Sequence, residues 1–230
     1  MPAEKIESER RRSRPVEKPK KKAIIKRNKT WVSIAIIIIA VVIIASMAVV
    51  FIHPAKNRIA VIDTSMGTIR VELYEDKAPI TTANFIKLAN DGFYDGLVFH
   101  RVANLDTSAP TTHIIQGGGF YPNGTYKPSP YDPITLETKS DLVHDDGAIA
   151  MARTSSDPNS ATSQFYICDG PQHSLDGNYA VFGKVIDNSS IAVVRAIGKV
   201  QTTTRTVMGQ SMSDWPKTDI IIRSITIQKQ

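Results

Sequence analysis

Cysteine is almost missing from this chain. Cys168 is the only one in 230 residues, so no intramolecular disulfide can form. With no second thiol and the apolar run Phe165-Tyr-Ile167 before it, Cys168 reads as a small core residue and not as a nucleophile. Histidine is sparse and scattered: His53, His100, His113, His144 and His173 include no pair at the spacing of a zinc-binding helix. The acidic pair Asp145-Asp146 lacks the pattern of a calcium loop. No metal is therefore expected. A Gly-x-Ser-x-Gly elbow is absent, which leaves a serine hydrolase unsupported. Gly117-Gly-Gly119 lacks the Lys-Ser/Thr that a phosphate-binding loop requires.

Basic charge is plentiful, with a net of +6 and a pI near 9.4, but it is confined. Residues 1–30 hold 12 Lys and Arg against 4 Glu, whereas the other 200 residues hold 16 against 18 acids. The domain beyond the tail is slightly acidic, so no nucleic-acid partner is expected. The tail itself, with Pro15, Pro19 and little apolar periodicity, reads as disordered.

One long hydrophobic run follows it. From Trp31 to Ile52 the only polar side chains are Ser33 and Ser46. A helix of this length spans about 33 Å, enough for a hydrocarbon core of about 30 Å. A cleavable signal would have small residues at Ser46-Met-Ala48, yet the run continues through Val49-Val-Phe-Ile52, which favours an uncleaved anchor. Arg10-Arg-Arg12, Lys20-Lys-Lys22 and Lys26-Arg27 precede it, so the positive-inside rule keeps the N-terminus cytoplasmic and sends the rest outside. The expected organisation is a tail over 1–30, a transmembrane helix in the lipid bilayer over 31–52, a linker over 53–57 and a globular domain over 58–230. The expected location is a cell membrane crossed once, with the C-terminal domain extracytoplasmic.

In the domain, residues 58–64 and 68–74 read as two strands around a Ser65-Met-Gly67 turn. Ile69, Val71 and Leu73 alternate with Arg70 and Glu72 at the period of a half-buried strand. A helix follows Pro79, capped by Thr81 or Thr82, with Phe85, Leu88 and Ala89 on one face and Asn90-Asp-Gly92 at its end. Strands are expected at 97–102, 113–116, 148–152, 164–168, 180–185 and 220–227, and a second helix at 189–197. No element is assigned to 200–217. Many strands with two helices predict a mainly β, closed antiparallel barrel.

Two segment pairs carry the chemistry: Phe99-His-Arg-Val102 with Ile115-Gln-Gly-Gly118, and Ile149-Ala-Met-Ala-Arg153 with Ser163-Gln-Phe-Tyr-Ile167. They combine a permanently charged guanidinium, two side-chain amides and large apolar groups, a set suited to an extended, proline-containing peptide. With Leu175-Asp-Gly177 and Tyr179-Ala-Val-Phe-Gly-Lys-Val185, these motifs make the region 59–227 resemble the cyclophilin family of peptidyl-prolyl cis/trans isomerases, in a membrane-anchored bacterial form.

The resemblance implies an eight-stranded antiparallel barrel capped by two helices, no cofactor, and proline-containing polypeptides as partners, here unfolded or exported proteins. Arg101 matches the family's essential arginine and Gln116 the glutamine beside it. Ile114, Tyr166 and Leu175 match the apolar wall that receives the proline ring. Ala152 and Arg153 match the edge that pairs with substrate backbone, and Gln164 a second glutamine near the site. His113 stands where the family usually has a phenylalanine of the proline pocket, after a lengthened connection over 103–112. Ser174 replaces a common aromatic, and Tyr179 a common histidine on the substrate side. A noncatalytic proline-peptide-binding module is the competing reading, favoured by His113 and Ser174 and opposed by intact Arg101, Gln116 and Gln164.

Overall fold

The computed structural model describes residues 36–40, 57–105 and 112–229. The chain divides into two units, residues 1–53 and 54–230. In the first, only residues 36–40 are described; they are helical, with exposed isoleucines. Among the described residues no helix is long and apolar enough to cross a membrane. The expected tail and most of the expected span over 31–52 lie outside the described residues.

Eight strands of the second unit close into a barrel. They are β1 (Ile59–Thr64), β2 (Gly67–Leu73), β3 (Val98–Ala103), β4 (His113–Gly117), β5 (Ala148–Met151), β6 (Phe165–Asp169), β7 (Val181–Val185) and β10 (Ile220–Gln228). Their order around the barrel is β1-β10-β3-β4-β6-β5-β7-β2. Every neighbouring pair is antiparallel. Closure leaves no unpaired sheet edge, and alternation decides what points inward. In β2, Ile69, Val71 and Leu73 are buried while Thr68 and Arg70 are exposed.

Helix α1 (Pro79–Asn90) covers one end of the core, turning Phe85, Leu88 and Ala89 inward. The Phe85 ring lies 5.4 Å edge-on from Phe165 and 5.1 Å from Phe182. Such a side chain contributes roughly 1.5 to 3 kcal/mol by leaving water. Helix α2 (Asn188–Gly198) packs Val194 and Ile197 on the barrel, and its first turn is capped by Asp187, which accepts from Ser190 N at 2.8 Å. Cys168 is buried, and burial pushes its thiol up to about 12, consistent with a core residue.

Two features differ from the sequence expectations. Neither Thr81 nor Thr82 caps α1: the helix begins at Pro79, and its N-cap, Ala78, has no side chain to accept. Glu137, from a distant loop, takes that role, accepting from Ile80 N at 3.1 Å, Thr81 N at 2.7 Å and Thr81 Oγ1 at 2.7 Å. The negative charge also suits the positive end of the helix dipole. The unassigned stretch 200–217 forms a hairpin, β8 (Thr202–Val207) with β9 (Gln210–Pro216). Its turn residues Met208 and Gly209 both have positive φ, 51° and 77°. A two-residue hairpin turn with this handedness matches the twist of its strands. The hairpin has its own small core of Trp215 and Val207 against Val98 and Phe120.

Because Glu137 serves donors that α1 cannot satisfy itself, Glu137→Ala is expected to lower stability by about 1 to 2 kcal/mol, with Glu137→Gln intermediate. Urea unfolding checks this; an unchanged midpoint in Glu137→Ala would show that solvent serves those donors equally well.

Candidate active site

Strand register builds the site. Arg101 on β3 stands opposite Gln116 on β4, and Gln116 stands opposite Tyr166 on β6. These three side chains therefore form a row across three strands. Ile114, two residues before Gln116, shares its face. The row opens into a groove of about 360 Å³ lined by Arg101, Leu105, Ile114, Gln116, Ala152, Arg153, Tyr166, Leu175 and Tyr179.

The polar end is a relay of amides. Arg101 Nη1 lies 3.5 Å from Gln116 Oε1, and Gln116 Nε2 donates to Gln164 Oε1 at 3.0 Å. Gln164 thus stands behind Gln116 rather than in the groove wall. The triple glycine explains how it fits there. A Cβ at Gly119 would come within 2.8 Å of the Gln164 side chain, and one at Gly118, where φ is +83°, within 2.9 Å of the Ser163 carbonyl. Gly119 is thus a packing requirement of the relay, while Gly118 makes room for the backbone beside it. On its other side Arg101 Nε lies 3.7 Å from Asp214 Oδ2 of the β8–β9 hairpin.

The other end is a wall of aromatic rings. Tyr179 meets Tyr166 edge-on at 5.9 Å, and Arg153 lies 4.7 Å over Tyr179. The Arg153 guanidinium also donates to Asn178 O and Thr154 O, both at 2.8 Å. Its side chain therefore ties the two rims of the groove together, which backbone pairing alone would not require. Ala152 N already donates to Gln164 O at 2.9 Å, so this N–H is not available to the added strand expected at this edge.

Behind Tyr166 is a buried network that sequence reasoning missed. His144 Nδ1 lies 2.7 Å from Asp176 Oδ1 and its Nε2 lies 2.8 Å from the Tyr166 hydroxyl. Burial lowers the His144 pKa, outweighing the Asp176 carboxylate, so the ring is neutral. Partial burial works against the Asp176 charge, but bonds from the His144 N–H and ring hold its pKa down. A carboxylate only accepts, so Nδ1 carries the proton and Nε2 accepts from Tyr166. The Tyr166 hydroxyl is thereby satisfied, and its ring is fixed facing the groove. Nothing in the spacing of His144 and Asp176, 32 residues apart, signals this contact.

His113, expected in the proline pocket, alternates with Ile114 on β4, and its Nδ1 lies 3.8 Å from Asp169 Oδ2. Among the described residues it is not part of the groove lining.

The model for the cyclophilin type peptidyl-prolyl cis-trans isomerase/CLD family matches residues 59–227. The chain belongs to this family. It is 41% identical over 157 residues to a peptidyl-prolyl cis-trans isomerase of Acinetobacter baylyi, a match covering 66% of this chain and 78% of that protein. It is 36% identical over 176 residues to peptidyl-prolyl cis-trans isomerase B of Escherichia coli, covering 72% and 97%. Among solved structures, the cyclophilin of Cryptosporidium parvum crystallised in the presence of the dipeptide Ala-Pro superposes with a TM-score of 0.59 at 26% identity, covering 75% of this chain and 99% of that one. As a cyclophilin the protein is a peptidyl-prolyl cis/trans isomerase.

One buried base beside the arginine sets a pH limit on this cyclophilin. His100 is buried between Phe120, 4.8 Å away, and Trp215, 5.9 Å away. Burial lowers its pKa to about 4 from 6.5. The unfolded chain takes up this proton first, so the stability tied to neutral His100 is complete above about pH 6.5 and is lost on acidification toward about pH 4. The expected slope inside that window is about 1.4 kcal/mol per pH unit. His144 acts in the same direction, so comparison with His100→Gln isolates the share of His100. Parallel stability-pH curves for the two proteins would contradict it.

Proposed function

We propose that Arg101 drives the isomerisation and that the enzyme is held on the outer face of a cell membrane, where it acts on exported polypeptides. An amide resists rotation by about 18 to 20 kcal/mol, and only before proline are both isomers appreciably populated. As the bond twists, resonance is lost and the proline nitrogen becomes pyramidal and basic. A guanidinium donating to that nitrogen stabilises the twisted state more than either planar one, which is the differential binding that accelerates rotation. The proline ring is assigned to the wall of Ile114, Tyr166 and Leu175, leaving the preceding carbonyl free to swing toward Gln116. No bond breaks, so neither nucleophile nor cofactor is called for.

The observation that carries this reading is the position of Arg101, tethered to Gln116 at one end of a groove whose wall includes Ile114, Tyr166 and Leu175. A noncatalytic binding module is the alternative that His113 and Ser174 favour and that intact Arg101, Gln116 and Gln164 oppose; the 3.8 Å approach of His113 to Asp169 weakens its support. The membrane assignment is supported by the 22-residue apolar run and the 12 basic residues before it.

Arg101→Ala is expected to remain folded and to lose about a hundredfold in rate, the equivalent of about 3 kcal/mol of twisted-state stabilisation. Exchange of a short X-Pro peptide followed by NMR measures this, and equal rates for folded variant and wild type would remove Arg101 from the mechanism. For the topology, protease added to intact cells is expected to digest residues beyond 56 and spare an epitope placed before residue 29. A protected domain would reverse the orientation.

A further inference from the structure

The hairpin β8–β9 lies outside the barrel, yet one of its side chains reaches the arginine of the groove. Its pairing slips: Thr203 stands opposite Trp215 and Arg205 opposite Met212, so Ser213 and Asp214 together face Thr204. This is a bulge, a device that re-aims a side chain. Asp214 sits in it with φ of +63°, a left-handed conformation uncommon outside glycine and best tolerated by Asn and Asp. The next residue, Trp215, is buried against Val98 and Phe120 beside β3, which anchors the bulge on the strand that carries Arg101. The outcome is the 3.7 Å approach of Asp214 Oδ2 to Arg101 Nε. Ser213 Oγ donates to the same carboxylate oxygen at 3.2 Å.

We propose that Asp214 is a positioning residue for the isomerisation, and that the hairpin exists on this barrel partly to supply it. The proposal rests on the assignment of Arg101 to the twisted bond. An arginine side chain has several freely rotating bonds, and Gln116 holds only one edge of the guanidinium, at a long 3.5 Å. The carboxylate holds Nε from a different structural element. Two tethers from separate elements fix the plane of the group, where one would leave it free to swing. The strained backbone at Asp214 fits this role, since such conformations persist at sites where surrounding structure enforces them.

Asp214→Asn tests this, because Asn keeps the left-handed backbone and removes only the charge. A part-exposed ion pair predicts a two- to fivefold fall, about that size, in the exchange rate at saturating X-Pro peptide, with peptide affinity unchanged. In an Arg101→Ala background the same substitution is expected to have no further effect. Salt at about 0.5 M is expected to slow the wild type and leave Asp214→Asn unaltered. The Arg101 Nε–H resonance, read by NMR in the resting enzyme, is expected to exchange faster with solvent in Asp214→Asn. An unchanged or raised rate, a loss of affinity in place of rate, or an equal fall without Arg101 would each overturn the role of Asp214. A wild type with no isomerase activity would overturn the assignment of Arg101, while the Nε–H resonance would still report whether Asp214 holds it; an unchanged resonance sinks the positioning role in either case.

Discussion

The pairing of β3 with β4 and of β4 with β6 puts Arg101, Gln116 and Tyr166 in a single row, and the rest of the site is arranged around that row. Strand pairing fixes the spacing of opposed side chains to a few ångströms without further help. Each member of the row then has its own support. Gln116 is held by Gln164, Tyr166 by His144 and Asp176, and Arg101 lies between Gln116 and Asp214. A guanidinium is useful at a twisting amide only where the twisted nitrogen will be, so rigidity of this row is the condition on which activity depends.

The electrostatics agree with that arrangement. The groove places the Arg101 guanidinium and the Gln116 amide at one end and its rings, with Arg153 over Tyr179, at the other, so a proline ring and an adjacent amide meet different chemistry within one substrate. The buried bases near the site, His100 and His144, are both held neutral by burial and add no competing positive charge beside Arg101 at neutral pH. Cys168, with its thiol raised to about 12, is equally silent.

Much of the barrel is legible in the sequence because its strands alternate, as in Ile69, Val71 and Leu73, or are short apolar runs bounded by turn residues. Arg101, Gln116, Tyr166 and Leu175 are legible through motif resemblance, not through periodicity, which cannot tell a groove wall from a core. Long-range partners were not legible. Glu137 capping α1, His144 bonding Tyr166 and Asp214 reaching Arg101 each join residues tens to more than a hundred positions apart, and no local pattern encodes such contacts. The hairpin β8–β9 escaped because its run of Thr202-Thr-Thr-Arg-Thr206 is polar on both faces, one of which is solvated. The approach of His113 to Asp169 was not legible either, because a motif alignment beside a lengthened connection carries no information on such a pair.

The central claim is that the guanidinium acts on the twisted state and contributes little to holding the planar substrate. Arg101→Lys separates the two, because lysine keeps the charge and loses the planar fork that Gln116 and Asp214 can orient. Peptide affinity and the exchange rate at saturation, both measured by NMR on the same X-Pro peptide, should part company. Affinity should stay within about twofold while the rate falls tenfold or more, the signature of an interaction made only in the transition state. Loss of affinity with an unchanged rate at saturation would contradict the account and make Arg101 a substrate-binding residue.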